Sequence, residues 1–453
     1  MKGFVKDSKI LDQRAINMGL DETILMENAG QNLAKKIKKA LKNKKAKILF
    51  VLGSGNNGAD GLVSARAFEN AYLYEVNKKS KESLLFEKQK QIALNLGLKF
   101  LEKEPDFDSF DCIVDCIFGS GLNKDLDDDL TLLINKLNKS KAFKIACDIP
   151  SGLGFNICFK ADLTICMGAL KEILLQDYAK DFVGKIKIVS LGMYDEAFLP
   201  QNLAEGFLLT KKDLNLVKRT KNSNKSTYGH VFICGSKSAG TLSALGALNF
   251  GAGLVSLVNK TSFSPLIMCK DKINNDASAI AIGMGLKDLS ILDDDILDDK
   301  PLVLDANCFN SDKILKFLNK DNVILTPHPK EFSKLLKIAL NLDIDTNLIQ
   351  KNRFEYVKKF SQRFNCVLVL KGANTIISQN NQIFVINCGT HALAKGGSGD
   401  VLSGMIAALL ANHFSPLKAA CNACLAHALV AKKYKFNHFS FDALKLIKGL
   451  KCL

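Results

Sequence analysis

Short, β-rich apolar runs alternate with helical stretches along most of this chain, and that alternation leaves few folds open to it. Residues 47–52, 112–117, 144–149, 163–167 and 185–191 form a first series of such runs, and 230–234, 254–258, 279–282, 301–305, 323–325, 366–371 and 383–387 form a second. Continuous apolar strands separated by helices read as parallel sheets covered on both faces. The rhythm lapses over residues 195–212, around Pro200, Gln201 and Asn202, so a boundary is placed there, with one α/β domain over 1–205 and another over 206–453. A length of 453 residues agrees with two domains, and no internal repeat makes them copies. Leu25, Ala29, Leu33, Ile37 and Leu41 recur at steps of four and predict an opening helix, while 401–412 and 417–433 predict two apolar closing helices.

Composition narrows the partners. Hydrophobic residues at 47% and charged residues at 24% exclude a disordered, collagen-like or coiled-coil chain. The net charge of +16 would suit anionic partners, but the lysines are scattered, so the excess reads as solvated surface and no nucleic-acid partner is expected. Residues 238–259 carry no charge over a length that could cross a bilayer. Gly240, Gly246, Gly251 and Gly253, with Ser243, Asn249 and Ser256, make this stretch too polar for a span, and it reads as a buried helix followed by a buried strand. Thirteen Cys without regular spacing, many inside apolar runs, point to a reducing cytoplasm, and no export signal opens the chain. Cys421-x-x-Cys424 with His427 has no second ligand pair at zinc spacing and falls in a helical stretch, so helix packing is the expectation.

In the first half, the strand over 47–52 runs into Gly53-Ser54-Gly55-Asn56-Asn57-Gly58-Ala59-Asp60-Gly61, with a helix expected from about Leu62. This contains G-x-G-x-x-G, whose glycines let phosphate approach backbone N–H groups at a helix start. Asn56, Asn57 and Asp60 are more polar than a dehydrogenase loop usually carries, which suggests direct binding of a polar ligand or an ion. Downstream, Asp115 leads into Phe118-Gly119-Ser120-Gly121-Leu122, and Asp148 into Ile149-Pro150-Ser151-Gly152. Ligands of a doubly wound sheet sit at the carboxyl ends of strands, so Asn57, Asp115, Asp148 and Ser151 are expected to converge on one crevice. Oxygen ligands with few carboxylates suit a weakly held or monovalent cation as well as a ribose or hydroxyl.

The second half carries Lys395-Gly396-Gly397-Ser398-Gly399-Asp400 at the opening of an apolar helix. Consecutive glycines there expose N–H groups and the positive end of the dipole to an anion, and Asp400 is placed to take a proton from an attacking hydroxyl. G-x-G-D before an apolar helix resembles the ribokinase-like small-molecule kinases.

With Ala161-Asp162-Leu163-Thr164 added, the first set of motifs resembles the NAD(P)HX epimerase family over residues 1–205. The second half adds Gly251-Ala252-Gly253-Leu254-Val255, Val303-Leu304-Asp305-Ala306, Thr326-Pro327-His328-Pro329-Lys330-Glu331-Phe332 and Leu370-Lys371-Gly372-Ala373-Asn374-Thr375, and resembles the NAD(P)HX dehydratases over 207–453. The resemblance implies a Rossmann-like, doubly wound first domain and a ribokinase-like second one. It implies that Asn56, Asn57, Gly58, Ala59, Asp60, Gly119, Ser120, Gly121, Leu122, Asn123, Lys124, Asp125 and Asp148 bind the hydrated dinucleotide, Asp148 also acting in catalysis. Asn57, Asp115 and Ser151 would hold K⁺. In the second domain Lys371, Gly372, Ala373, Asn374, Thr375 and Gly399 would contact ADP or ATP, with Mg²⁺. Ala239, Gly285, His328 and Asp400 would contact the hydrated nicotinamide nucleotide, with Asp400 as base.

The chain departs from the pattern at Ala59 and Lys287, where glycine is usual, and after Gly152, where the segment is short. The implied activity is repair of hydrated nicotinamide cofactors, NADHX and NADPHX, by a homo-oligomeric cytoplasmic enzyme. Two other readings stay open on the motifs alone. One is a kinase of a small hydroxymethyl or sugar substrate, and the other gives the first domain a non-catalytic binding or scaffold role.

Overall fold

The computed structural model describes residues 1–76 and 81–453. The chain divides into two compact units, Gly3–Glu205 and Gly206–Leu453, the second taking in Met1–Lys2.

The first unit is built on seven parallel strands: β1 (Ile48–Leu52), β2 (Ala71–Glu75), β3 (Lys99–Phe100), β4 (Cys112–Cys116), β5 (Phe143–Cys147), β6 (Leu163–Met167) and β7 (Lys185–Val189). They lie in the order β3-β2-β1-β4-β5-β6-β7, that of a doubly wound dinucleotide-binding sheet with its switch point between β1 and β4. Every residue of β1 and β4 is buried, as the continuous apolar runs require. Side chains alternate between faces. Phe50, Leu52, Val114 and Cys116 pack with helix α2 (Glu22–Leu41), and Leu49, Val51 and Ile113 with helix α5 (Asp128–Lys139) on the other side. Helices α1 (Lys9–Asn17), α3 (Asn56–Ala65) and α4 (Leu84–Asn95) complete the layers used below.

Helix α3 begins at Asn56 rather than near Leu62. Two glycines and two asparagines have weak helix propensity and read as loop, but packing overrides propensity here. A Cβ on Gly58 would sit 1.9 Å from the Gly53 carbonyl oxygen, and one on Gly61 would sit 2.7 Å from Cys116 Sγ. The glycines therefore let the first helical turns lie directly on the strand ends. Ala59 is helical and fully buried, so the family glycine it replaces is not needed for backbone freedom.

The second unit carries strands β8 (Gly206–Leu208), β9 (His230–Cys234), β10 (Leu254–Val258), β11 (Met268–Lys270), β12 (Ala279–Ile282), β13 (Leu302–Leu304), β14 (Val323–Leu325), β15 (Val367–Leu370), β16 (Thr375–Gln379) and β17 (Gln382–Ile386). They lie in the order β11-β10-β9-β12-β13-β14-β15-β16-β17-β8. The sheet is parallel except where β16 runs antiparallel to both neighbours. Helices α6 (Lys237–Asn249), α9 (Ser398–Ala411) and α10 (Pro416–Lys433) bury one face with Val231, Ile233, Ala281 and Val303, while α7 (Pro329–Leu340) and α8 (Arg353–Arg363) follow the central strands. The uncharged stretch 238–259 is α6 followed by β10, and among the described residues no helix is long and apolar enough to cross a membrane. Strands β2, β3, β8, β11 and β16 are additions to the apolar runs read above. Thr375 opens β16 rather than closing a loop, and β8 falls inside the stretch where the rhythm lapses.

Candidate active sites

In the first unit a cavity of about 750 Å³ opens at the carboxyl ends of β1 and β4. Asn56, Asn57 and Asp60 of α3 line it, with Gly119, Ser120, Gly121 and Leu122 after β4, and Asp148 after β5. Asn57 meets that loop: a Cβ on Gly119 would lie 3.3 Å from its Oδ1. Gly58 and Ala59 are instead buried in the helix body, and Asn123, Lys124 and Asp125 are exposed outside the lining. The Asp125 carboxylate accepts from the Asn156 N–H at 3.1 Å.

Two residues absent from the motif reading, Lys171 and Asp12, complete the cavity floor. Lys171 Nζ donates to Asp148 Oδ1 at 2.5 Å and to the Met167 carbonyl at 2.6 Å. Asp148 also accepts from the Met167 N–H at 2.9 Å, and it holds a left-handed φ of 63°. Such a backbone is uncommon away from glycine and clusters at functional sites. Burial opposes the Lys171 charge, but Asp148 overrides it and raises the ammonium above its usual range. Burial, reinforced by Asp148, drives Asp60 well above the carboxylate range. The signal for Lys171 was a lone charge closing the apolar run 163–170.

Asp115 and Ser151 lie behind the cavity lining rather than on it. Asp115 is fully buried and accepts from Ser151 Oγ at 2.6 Å, from the Ser151 N–H at 2.8 Å and from the Ile117 N–H at 3.1 Å. Burial raises its pKa to about 6, and those bonds hold it from rising further. Ser151 Oγ also accepts from the Phe118 N–H at 2.9 Å, which ties β4, β5 and the glycine loop together. The Asn57 Nδ2 atom is buried with no partner. An amide, one carboxylate and a hydroxyl offer oxygen ligands of low total charge, which fits a monovalent cation.

In the second unit α9 begins on the glycine-rich turn expected from the sequence. Gly397 is its N-cap residue with φ 89°, a left-handed conformation suited to glycine, and Ser398, Gly399 and Asp400 form the first turn. Lys371, at the end of β15, reaches this turn: a Cβ on Gly399 would lie 3.5 Å from its Nζ. Lys371 Nζ pairs with Asp305 Oδ1 at 2.8 Å and stands 3.9 Å from Glu331. Asp305, 2% exposed at the end of β13, also accepts from Ser403 Oγ at 2.6 Å. Burial works against its charge, but Lys371, Ser403 and Thr326 hold it below the ordinary carboxylate range. Asp400 goes the other way. Burial and the nearby Asp305 charge raise its pKa to about 6, with Lys371 opposing them. Two carboxylates with separated pKa values around one lysine is an acid–base arrangement.

His328 is the N-cap of α7, where its N–H donates to Glu331 Oε2 at 2.8 Å and its Nδ1 accepts from the Glu331 N–H at 3.3 Å. The ring is half-exposed; burial and Lys371 lower its pKa. Ala239 lies in the first turn of α6, and a Cβ on Gly285 would come within 3.4 Å of its Cβ and 2.5 Å of Ser236 Oγ, so these residues adjoin. Lys287 is exposed. Gly372, Ala373 and Asn374 form the turn from β15 to β16, secured by the buried Arg353, which donates to the carbonyls of Leu370, Lys371 and Asn374.

Cys421, Cys424 and His427 all lie in α10, and among the described residues no group of three or more His, Cys, Asp or Glu is arranged to hold a metal. His427 donates to the Ser398 carbonyl instead.

Two family models match the chain: "YjeF-related protein N-terminus" over residues 22–173 and "NAD(P)H-hydrate dehydratase" over 230–451. Proteins named bifunctional NAD(P)H-hydrate repair enzyme are similar over nearly the whole length. That of Helicobacter pylori is 40% identical over 98% of this chain and 98% of its own. That of Coxiella burnetii is 31% identical over 93% and 92%, and that of Escherichia coli 32% over 84% and 80%. Among solved structures, an ADP/ATP-dependent NAD(P)H-hydrate dehydratase from Bacillus subtilis, co-crystallized with ATP and Mg²⁺, is 28% identical. It covers 52% of this chain and 92% of its own, with a TM-score of 0.44.

Proposed function

The chain belongs to the bifunctional NAD(P)H-hydrate repair enzyme family, and from that premise we propose how its two units divide the work. Gly3–Glu205 interconverts the R and S epimers of NAD(P)HX, and Gly206–Leu453 dehydrates the S epimer to NAD(P)H at the expense of ADP or ATP. The observation that carries the reading is the Gly397–Asp400 helix start held against Lys371, because it supplies an anion site and a carboxylate base in one turn. A non-catalytic first domain would not explain the Lys171–Asp148–Asp60 floor of its cavity.

In the second unit Asp400 takes the proton of the ring hydroxyl as that oxygen attacks the terminal phosphoryl group. The bond to the leaving nucleotide breaks, and the first-turn N–H groups with Lys371 meet the charge that develops. Phosphate then departs from the ring carbon with the C–O electron pair, and loss of a proton from the neighbouring carbon restores the double bond. Lys371, Gly372, Ala373, Asn374, Thr375 and Gly399 border the nucleotide, and Ala239, Gly285 and His328 the hydrated nicotinamide. Glu331, 3.9 Å from Lys371, is the carboxylate that would help hold Mg²⁺, which when bound would offset the charge of the phosphates.

In the first unit Asn56, Asp60, Asp148 and the 119–122 loop hold the hydrated dinucleotide, and Asp148 with Lys171 handles protons at the reacting carbon. Asn57, Asp115 and Ser151 would hold K⁺, which when bound adds a positive charge near the dinucleotide. Thirteen cysteines without regular spacing, many of them inside apolar runs, support a reducing cytoplasm as the working compartment. A homo-oligomer completes the proposal and is tested by analytical ultracentrifugation.

The test is to give the pure protein both NADHX epimers with Mg²⁺, K⁺ and either ADP or ATP, and to follow each epimer by chromatography. Loss of both epimers with recovery of NADH is expected. Loss of S alone would remove the epimerase assignment, and no turnover with either nucleotide would turn the reading toward a small-molecule kinase.

A further inference from the structure

We propose that His427 is a positioning residue of the dehydratase unit: its hydrogen bond to the Ser398 carbonyl sets the Ser398–Gly399 peptide so that the Gly399 N–H faces the phosphoryl group. The inference rests on the reading of this unit given above. His427 lies on α10, 29 residues from Ser398 in sequence, with Nε2 3.0 Å from the Ser398 oxygen and 8% of the residue exposed. A carbonyl only accepts, so Nε2 carries the proton and the tautomer is fixed. Burial, with Lys371 also opposing a positive charge, lowers the ring pKa to about 4, so it is a neutral donor at ordinary pH.

The consequence follows from peptide geometry. The C=O of Ser398 and the N–H of Gly399 belong to one trans, planar unit and point in opposite directions. Fixing the oxygen therefore aims the hydrogen. That N–H is in the first turn of α9 and has no partner within the helix, so it is free to meet an anion. The turn is held by backbone bonds, such as the Gly397 carbonyl accepting from the Val401 N–H at 3.1 Å, and little by its own side chains. Gly396, Gly397 and Gly399 contribute no side chain, and a Cβ on Gly396 would meet nothing within 4 Å. Ser398 is held from three directions, its N–H donating to the Lys395 carbonyl at 3.4 Å, its Oγ to the Leu393 carbonyl at 2.9 Å, and its carbonyl accepting from His427. A preorganised donor acts mainly on the charge that builds in the transition state, so its misalignment lowers kcat more than it weakens nucleotide binding.

The experiment compares full-length wild type, His427→Gln, His427→Asn and His427→Ala in dehydration of S-NADHX with ADP and Mg²⁺, recording kcat, nucleotide KM and the thermal transition. The Gln amide nitrogen can take the place of Nε2, whereas that of Asn is too short to reach Ser398. The expected result is a kcat at least about tenfold lower for Ala and Asn, with nucleotide KM within about threefold of wild type, and a Gln variant within about threefold of wild type in both. Epimerase turnover in the same samples stays at the wild-type level. If Ala does not fold, the Gln and Asn pair carries the comparison. A kcat for Ala or Asn within about twofold of wild type would overturn the inference. So would parallel loss of kcat, nucleotide binding and thermal stability in all variants, which marks a packing role. A wild-type protein without dehydratase turnover would bring down the functional reading itself.

Discussion

Lys171 Nζ lies 2.5 Å from Asp148 Oδ1, and both residues are buried, one at 2% and the other at 8% exposure. They are 23 residues apart, brought together because β5 and β6 are parallel neighbours and both chain exits turn over the same sheet end. The pair joins Asp60 and Asp12 on the floor of the first cavity.

Lys171→Met should abolish epimerisation and destabilise the first unit by about 3–5 kcal/mol, because it leaves a buried carboxylate without its partner. Dehydration of added S epimer should persist, since Gly206–Leu453 has its own core. Epimer-resolved chromatography and calorimetry on the same sample check both parts.

Asp400→Asn should lower dehydratase kcat by about 10²–10⁴-fold, the usual contribution of a positioned base, and leave epimerisation unchanged. In wild type the base must be ionised, so dehydration should fall off with unit slope as pH drops below about 6. For stability the sign is the reverse of a paired carboxylate. A raised pKa means that the folded chain binds the proton more tightly than the unfolded one, so stability declines as pH rises from the ordinary carboxylate value to about 6 and stays lower at neutrality. Asp400→Asn should therefore raise the thermal midpoint by about 2–4 °C at pH 7.5, roughly 1 kcal/mol for a unit this size, with no gain at acid pH. Scanning calorimetry across the pH range reads this.

Epimerase turnover should rise when K⁺ replaces tetramethylammonium, and Asp115→Asn should lose that response. One carboxylate oxygen becomes an NH₂ facing the donors of Ser151 or Ile117, so this variant should also melt lower. Initial rates against K⁺ concentration in both proteins decide the matter.

Gly58→Ala should cost about 1–3 kcal/mol or more, because the new Cβ meets backbone, the Gly53 carbonyl, rather than a side chain that can turn away. Ala59→Gly, which restores the family residue, should lower stability by about 0.5–1 kcal/mol or more, since glycine inside a helix adds unfolded-state entropy and the buried methyl is lost. Urea midpoints of the two variants should move in the same direction by unequal amounts.

The amino-acid sequence alone determined the α/β class, the apolar strands at the centre of each sheet, the two glycine-rich turns and the acidic residues at the strand ends. These are local signals: a continuous apolar run, a turn dipeptide or a helix start needs only its near neighbours to be recognised. The start of α3 escaped because Asn56 to Gly61 are weak helix formers, and only the close approach to Gly53 and Cys116 explains why they are helical. Short edge strands such as Lys99–Phe100 and Met268–Lys270 carry too little pattern to read. The partners of the chemistry escaped for a deeper reason. Lys171 with Asp148, Lys371 with Asp305, Ser403 with Asp305 and His427 with Ser398 are 23, 66, 98 and 29 residues apart. The tertiary structure decided those pairings, because which strand end faces which depends on sheet order and helix packing, and burial then shifted Asp115 and Asp400 to about 6 and the neutral His427 to about 4.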